Sequence, residues 1–148
     1  MISSIPMELG KVVNNYLRQS PLAHLHLDAR AANQPNEHEA AVEMYERRFL
    51  GMINLRGQTR DPAFSPKIKK TLGVDLPSEI NTVQGKPDEI YILCLGPNEW
   101  LIVTPPDEES KLHAELAKAL TELHAAITLT GESRTTIRLS GIRARDTL

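Results

Sequence analysis

The sequence predicts an α+β fold in which an antiparallel sheet is covered by helices on one side. Three observations carry that prediction. Residues 89–95 (EIYILCL) and 100–104 (WLIVT) are dense in β-forming side chains and flank Gly96-Pro97-Asn98-Glu99, a tight-turn composition, so they read as a β-hairpin. After that hairpin, Leu112, Leu116, Leu120 and Leu123 recur at helical spacing and line one face of an amphipathic helix. Short strands and helices alternate along the rest of the chain, the order expected when sheet and helices occupy separate layers.

Composition sets the outer limits. A chain of 148 residues fits one domain, or two small interleaved layers, and 41% hydrophobic residues suffice for a core at that size. Seventeen basic residues stand against nineteen acidic ones, a formal net charge of −2. The basic excess or stripe of a general nucleic-acid or anionic-membrane binder is missing. With Cys94 as the single cysteine, one copy forms neither an internal disulfide nor a thiolate zinc site. Residues 1–10 lack the charged start and apolar stretch of a secretory signal, and no apolar run is long enough to span a bilayer. A soluble, cytoplasmic protein is expected.

Leu9, Val12, Val13, Tyr16 and Leu17 share one face of a first helix, which Ser20-Pro21 ends. That face can pack on its own domain or on a neighbouring chain. Residues 22–27 then alternate apolar residues with histidines. As a strand, this segment puts His24 and His26 on one face with Asp28 next in register. Imidazoles at i and i+2 can meet a common ion, but His38, His113 and His124 are scattered, so two surface histidines are the simpler reading. Residues 28–39 have loop composition. The expected organisation is an N-terminal helix and polar loop over 1–39, followed by an α+β domain over 40–148.

Within that domain, residues 42–46 alternate and 49–55 (FLGMINL) form a short apolar run, so both read as strands. Ser65 as N-cap and Pro66 at the first helical position start a helix that runs to Leu72, with Gly73 as its C-terminal cap. The lysines of KIKK (67–70) then fall mostly on its solvated side, near the end where the helix dipole favours cations. Cys94 inside the hairpin reads as a small buried hydrophobe, and Trp100 as a core anchor. Asp107 is the expected N-cap of the leucine-lined helix. Residues 125–129 and 135–139 read as strands around a Gly131-Glu132-Ser133 turn. From Ser140 the chain reads as a helix entry that stops after about two turns. That is the expectation for a fragment, or for a chain lacking a segment that a partner replaces.

Motifs that carry chemistry are missing. The sequence holds no G-x-x-x-x-G-K-[ST], G-x-G-x-x-G, G-x-S-x-G or C-x-x-C, and no carboxylate sits in an apolar context that would raise its pKa for acid–base work. The residues alone point to an α+β domain suited to binding or structure rather than catalysis.

A resemblance goes further. Phe49-Leu50-Gly51-Met52-Ile53-Asn54-Leu55-Arg56-Gly57, then Asp61-Pro62-Ala63-Phe64, then Leu95-Gly96-Pro97-Asn98-Glu99-Trp100-Leu101 resemble the gamma subunits of heterotetrameric sarcosine oxidases. Leu123-His124-Ala125-Ala126, Ser133-Arg134-Thr135 and Ile137-Arg138-Leu139-Ser140-Gly141 continue the match in the same order. It covers about residues 45–148, and its closing block also resembles the wider folate-binding family that includes the glycine-cleavage aminomethyltransferase, whose members usually have proline where this chain has Ile142.

The resemblance implies a two-layer antiparallel sheet/helix plait, like the N-terminal part of the aminomethyltransferases. It also implies membership of a complex that oxidatively demethylates sarcosine to glycine, makes hydrogen peroxide and passes the one-carbon unit to tetrahydrofolate. FAD, FMN, NAD and tetrahydrofolate are implied for the other subunits and zinc for delta. For this subunit the resemblance implies no cofactor and no catalytic residue. Implied partners are the alpha, beta and delta subunits, with packing against alpha as the role. Family members run some tens of residues past Leu148, in keeping with the interrupted helix. If packing is the role, the best cluster of apolar anchor and surrounding arginines is Arg47, Arg48, Phe49, Leu50 and Arg56. The same residues also read as core side chains and ordinary surface charges. A free-standing folate-dependent transfer protein and an RNA-associated domain are the alternative functions, and the charge balance counts against the second.

Overall fold

A computed structural model describes residues 18–33 and 41–148. The amphipathic segment 9–17 and His38 lie outside the described residues. Five strands form the main sheet: β2 (Gly51–Gly57), β3 (Val83–Gly85), β4 (Tyr91–Gly96), β5 (Glu99–Thr104) and β6 (Ala125–Leu129). Their order is β3-β4-β5-β2-β6, and every neighbouring pair is antiparallel. A separate two-stranded ribbon pairs β1 (Glu43–Arg47) with β7 (Thr136–Ser140). The helices are α1 (Leu27–Ala32), α2 (Phe64–Leu72) and α3 (Glu109–Ala119).

Two periodicities meet in the core. Strand alternation turns Ile53 and Leu55 of β2, Ile92 and Cys94 of β4, and Trp100 and Ile102 of β5 to one side of the sheet. There they pack on Phe64, Ile68 and Leu72 of α2 and on Leu112 and Leu116 of α3. The Phe64 and Trp100 rings lie 5.7 Å apart at 45°, and the Trp100 indole N–H donates to the Pro77 carbonyl at 2.9 Å. The large aromatic is thus buried without an orphaned donor. This is the expected α+β architecture, with antiparallel sheet and helices in two layers.

The predicted hairpin forms from β4 and β5, with Pro97-Asn98 between the paired Gly96 and Glu99. A bulge separates Cys94 from Gly96, and the buried Cys94 thiol donates to the Gly96 carbonyl at 3.3 Å. At α2 the cap differs from expectation. Asp61 accepts the Ala63 N–H at 2.8 Å and the helix starts at Phe64, ahead of the predicted Ser65 cap. Pro66 still falls in the first turn, where a missing N–H breaks no helical bond. Gly73 closes the helix as predicted, at φ 71, its N–H donating to the Lys69 carbonyl at 2.8 Å.

Other expectations are corrected. Residues 22–27 are not a strand: Ala23–Leu25 is a 3-10 turn, His26 is left-handed at φ 47, and Leu27–Ala32 is α1, reaching into the predicted loop. An alternating segment needs a neighbouring strand, and the local Ala23-to-Ser20 and Leu25-to-Leu22 hydrogen bonds satisfy the backbone instead. Asp107 does not cap α3, because it stands at φ 67 with its carboxylate on Arg18 at 3.0 Å, leaving Glu108 at the cap position. The helix predicted from Ser140 does not form. Ser140 stays in β7 opposite Glu43, Gly141 turns the chain at φ 107, and only a 3-10 turn over Ala144–Thr147 follows. Finally, β3 was not anticipated, since three exposed residues are too few to show alternation.

Candidate partner interface

Arg47, Arg48, Phe49 and Leu50 fall together at the corner between β1 and β2. Arg47 donates to the Pro87 carbonyl and pairs with Asp88 at 3.2 Å. Arg48 reaches Asp28 of α1 at 2.9 Å and Glu46 at 3.4 Å. Asp28 first, then Glu46, strengthens the hold of Arg48 on its proton. Phe49 is left-handed at φ 60, and the Arg18 guanidinium lies over its ring at 4.8 Å. Arg18 itself pairs with Asp107 and Glu132. Leu50 is buried with Met52 and Val103, so within this chain it is a core residue rather than a surface anchor. Arg56 stands apart: six residues along the same strand is about 20 Å. It pairs with Glu99 at 2.8 Å, and Asn54 donates to the same carboxylate at 2.8 Å. Arg56 foremost, then Asn54, holds that carboxyl below the usual range.

The corner is built around a residue that the sequence did not single out. The Glu46 side chain is only 1% exposed. Burial alone would push its carboxyl up. Hydrogen bonds from Thr135 (2.7 Å), Ser20 (2.8 Å), Arg48 (3.4 Å) and the Leu22 backbone outweigh it and pull the group below 4.5. Ser20 lies 26 residues before it and Thr135 lies 89 residues after it, so no local pattern could show this junction.

The second face of the sheet is also apolar. Register aligns Val83, Leu93 and Leu101 across β3, β4 and β5, beside a second row of Tyr91, Val103 and Met52. Met52 and Val103 are buried, Tyr91, Leu93 and Leu101 half-buried, and Val83 is 54% exposed. Partial burial raises the Tyr91 phenol pKa. A signal was present in the sequence: β4 is apolar on both parities, Tyr91, Leu93 and Leu95 as well as Ile92 and Cys94, the pattern of a strand covered on both sides. Where this face meets the β1–β7 ribbon, a cavity of about 310 Å³ opens, lined by Arg47, Val83, Tyr91, Ile137 and Arg138 among others.

His24 and His26 are exposed, and the His24 ring sits 3.1 Å from the Pro21 carbonyl. Among the described residues no three His, Cys, Asp or Glu side chains gather as a metal site, and no helix is long and apolar enough to cross a membrane.

The fold is similar to that of the glycine cleavage system aminomethyltransferase T from Bartonella henselae, with a TM-score of 0.55 over 72% of this chain and 31% of that one. At 13% identity that likeness concerns the fold alone. It gives the fold class, an α+β plait of the kind that protein contains. The model of the sarcosine oxidase, gamma subunit family matches residues 56–148, and the chain belongs to that family. It is 29% identical over 125 residues to the sarcosine oxidase subunit gamma of Corynebacterium sp. (strain P-1) and 31% identical over 125 residues to that of Arthrobacter sp. Each alignment covers 84% of this chain and 58% of the relative, so the chain spans under two thirds of the length of the curated relatives it matches. A chain of the heterotetrameric sarcosine oxidase from Corynebacterium sp. U-96, solved with pyrrole 2-carboxylate, superposes with a TM-score of 0.75 at 28% identity, covering 89% of this chain and 65% of that one.

Proposed function

We propose that this chain is an accessory subunit of a sarcosine oxidase complex, and that its role is to pack against the large alpha subunit and support assembly. The observation that carries this reading is the family match over residues 56–148, joined to a superposition on a heterotetramer chain at a TM-score of 0.75. The complex demethylates sarcosine to glycine, reduces oxygen to hydrogen peroxide and hands the one-carbon unit to tetrahydrofolate. FAD, FMN and NAD belong to alpha and beta, the folate site to alpha, and zinc to delta. The complex is cytoplasmic.

Two of its carboxylates argue against a folate-transfer site on this chain itself. Such chemistry needs an available carboxylate in a deep pocket. Glu46, which is buried, is already occupied by four donors, and Glu99 by Arg56 and Asn54. Arg47, Arg48 and Phe49 are retained as candidate contact residues at the β1–β2 corner.

The test is reconstitution. The purified chain alone should be colourless, inactive on sarcosine and unresponsive to tetrahydrofolate titration. Co-expressed with the two large flavin-binding chains and the small zinc-type chain, it should co-purify with them, and sarcosine-dependent peroxide should follow. Peroxide from the other chains at full yield without it would remove the assembly role. A saturable tetrahydrofolate signal from the isolated chain would favour the free-standing transfer protein instead.

A further inference from the structure

We infer that the open face of the main sheet, at the groove between β3, β4 and the β1–β7 ribbon, is the seat of a partner subunit that presents an apolar segment bearing one carboxylate. This rests on the reading of the chain as a subunit and says which face it uses. Val83, Tyr91 and Ile137 of β7 line the groove, and beside it Val83 continues in register into the half-buried Leu93 and Leu101. Val83 is 54% and Ile137 42% exposed, so two large apolar side chains meet water at the same groove, where a partner's apolar side chains would cover them.

The wall of the groove supplies the charge. Arg138 lies 5.6 Å over the Tyr45 ring, and none of the ion pairs among the described residues includes it. Arg47 beside it is already satisfied by Asp88 and the Pro87 carbonyl. An apolar lining beside a guanidinium that forms no ion pair among the described residues is complemented by apolar side chains and a single acid. A second copy of this chain suits the groove poorly, because a two-fold interface centred there sets Arg138 against its own equivalent. The opposite, helical side offers a groove walled by Lys67, Lys70 and Lys118, and lysine is depleted at interface cores.

The experiment uses the full chain co-expressed with the other subunits. The double variant Val83→Glu/Ile137→Glu changes two exposed positions, so its Tm should stay at the wild-type value while its affinity for the partner falls about a hundredfold. Arg138→Glu should weaken capture in the same way, and Arg138→Lys should retain most of it. Lys67→Glu/Lys70→Glu should bind as wild type. Wild-type affinity of the Val83/Ile137 variant, or loss in the lysine variant, overturns the assignment of this face. A free wild-type homodimer broken by Val83→Glu/Ile137→Glu would overturn the occupant, since the row would then hold a second copy. If no subunit captures the wild-type chain, the proposed function itself fails and this face falls with it, an outcome distinct from loss in the variant alone.

Discussion

At Glu46 a carboxylate is removed from water yet kept charged, because Ser20, Thr135, Arg48 and the Leu22 backbone together replace its hydration. Replacing it with alanine leaves those donors facing one another across a void, and a loss of about 2–3 kcal/mol is expected in denaturant unfolding. Glu46→Gln keeps the shape but sets an amide N–H₂ against one of the donors. The pH dependence has a definite sign. The folded-state pKa lies below the ordinary 4.5, so the stabilisation from the charged form is complete above that value and drains away as acid carries the pH down through the folded pKa. The stability gap between wild type and Glu46→Gln should therefore be constant near neutrality and shrink below pH 4.5. A gap that widens in acid would contradict the hydrogen-bond geometry.

The elements that could be read in the sequence are those whose signal is local and long enough to repeat. The β4–β5 hairpin, α3 and the Gly73 cap fall in this group, each fixed by residues within a few positions of one another. The histidine-alternating segment fails because alternation specifies a strand only when a sheet edge accepts it, and the end at Ser140 fails because Gly141 turns a chain whose cap residue belongs to β7. Of the five candidate contact residues, Arg47, Arg48 and Phe49 share a corner, but position along a strand does not reveal that Leu50 is buried or that Arg56 lies about 20 Å away. Two glycines at element ends separate steric from conformational demand. A Cβ on Gly57 would overlap the Phe64 ring beneath β2, whereas one on Gly73 meets nothing within 4 Å but must hold φ 71. Gly57→Ala should lower stability by about 2–3 kcal/mol through overpacking, and Gly73→Ala by about 1 kcal/mol through backbone conformation alone. Phe64→Leu should recover part of the first loss and none of the second, a double-mutant comparison readable by thermal melts.

For the molecule as a whole, the division of labour is between the two faces of one sheet. One face meets α2 and α3 and makes the core, while the other carries the apolar row and the ribbon. The ribbon is the topological outlier, since Glu43 and Ser140 pair across 97 residues whereas β4 and β5 meet across a two-residue turn. That contrast has a consequence for the order in which the molecule assembles. The hairpin and the helices on it close short loops and can form early, but the ribbon waits for a loop nearly two thirds of the chain to close. Glu46 joins the ribbon to Ser20 and Thr135, so its bonds are expected to form after the rate-limiting barrier to folding. In stopped-flow kinetics Glu46→Ala should accelerate unfolding by nearly its full equilibrium effect and leave the refolding limb almost unmoved, while Ile102→Val in β5 should slow refolding. Among the described elements the ribbon is then the last to close and the first to open, so any contact that uses it must wait on that closure.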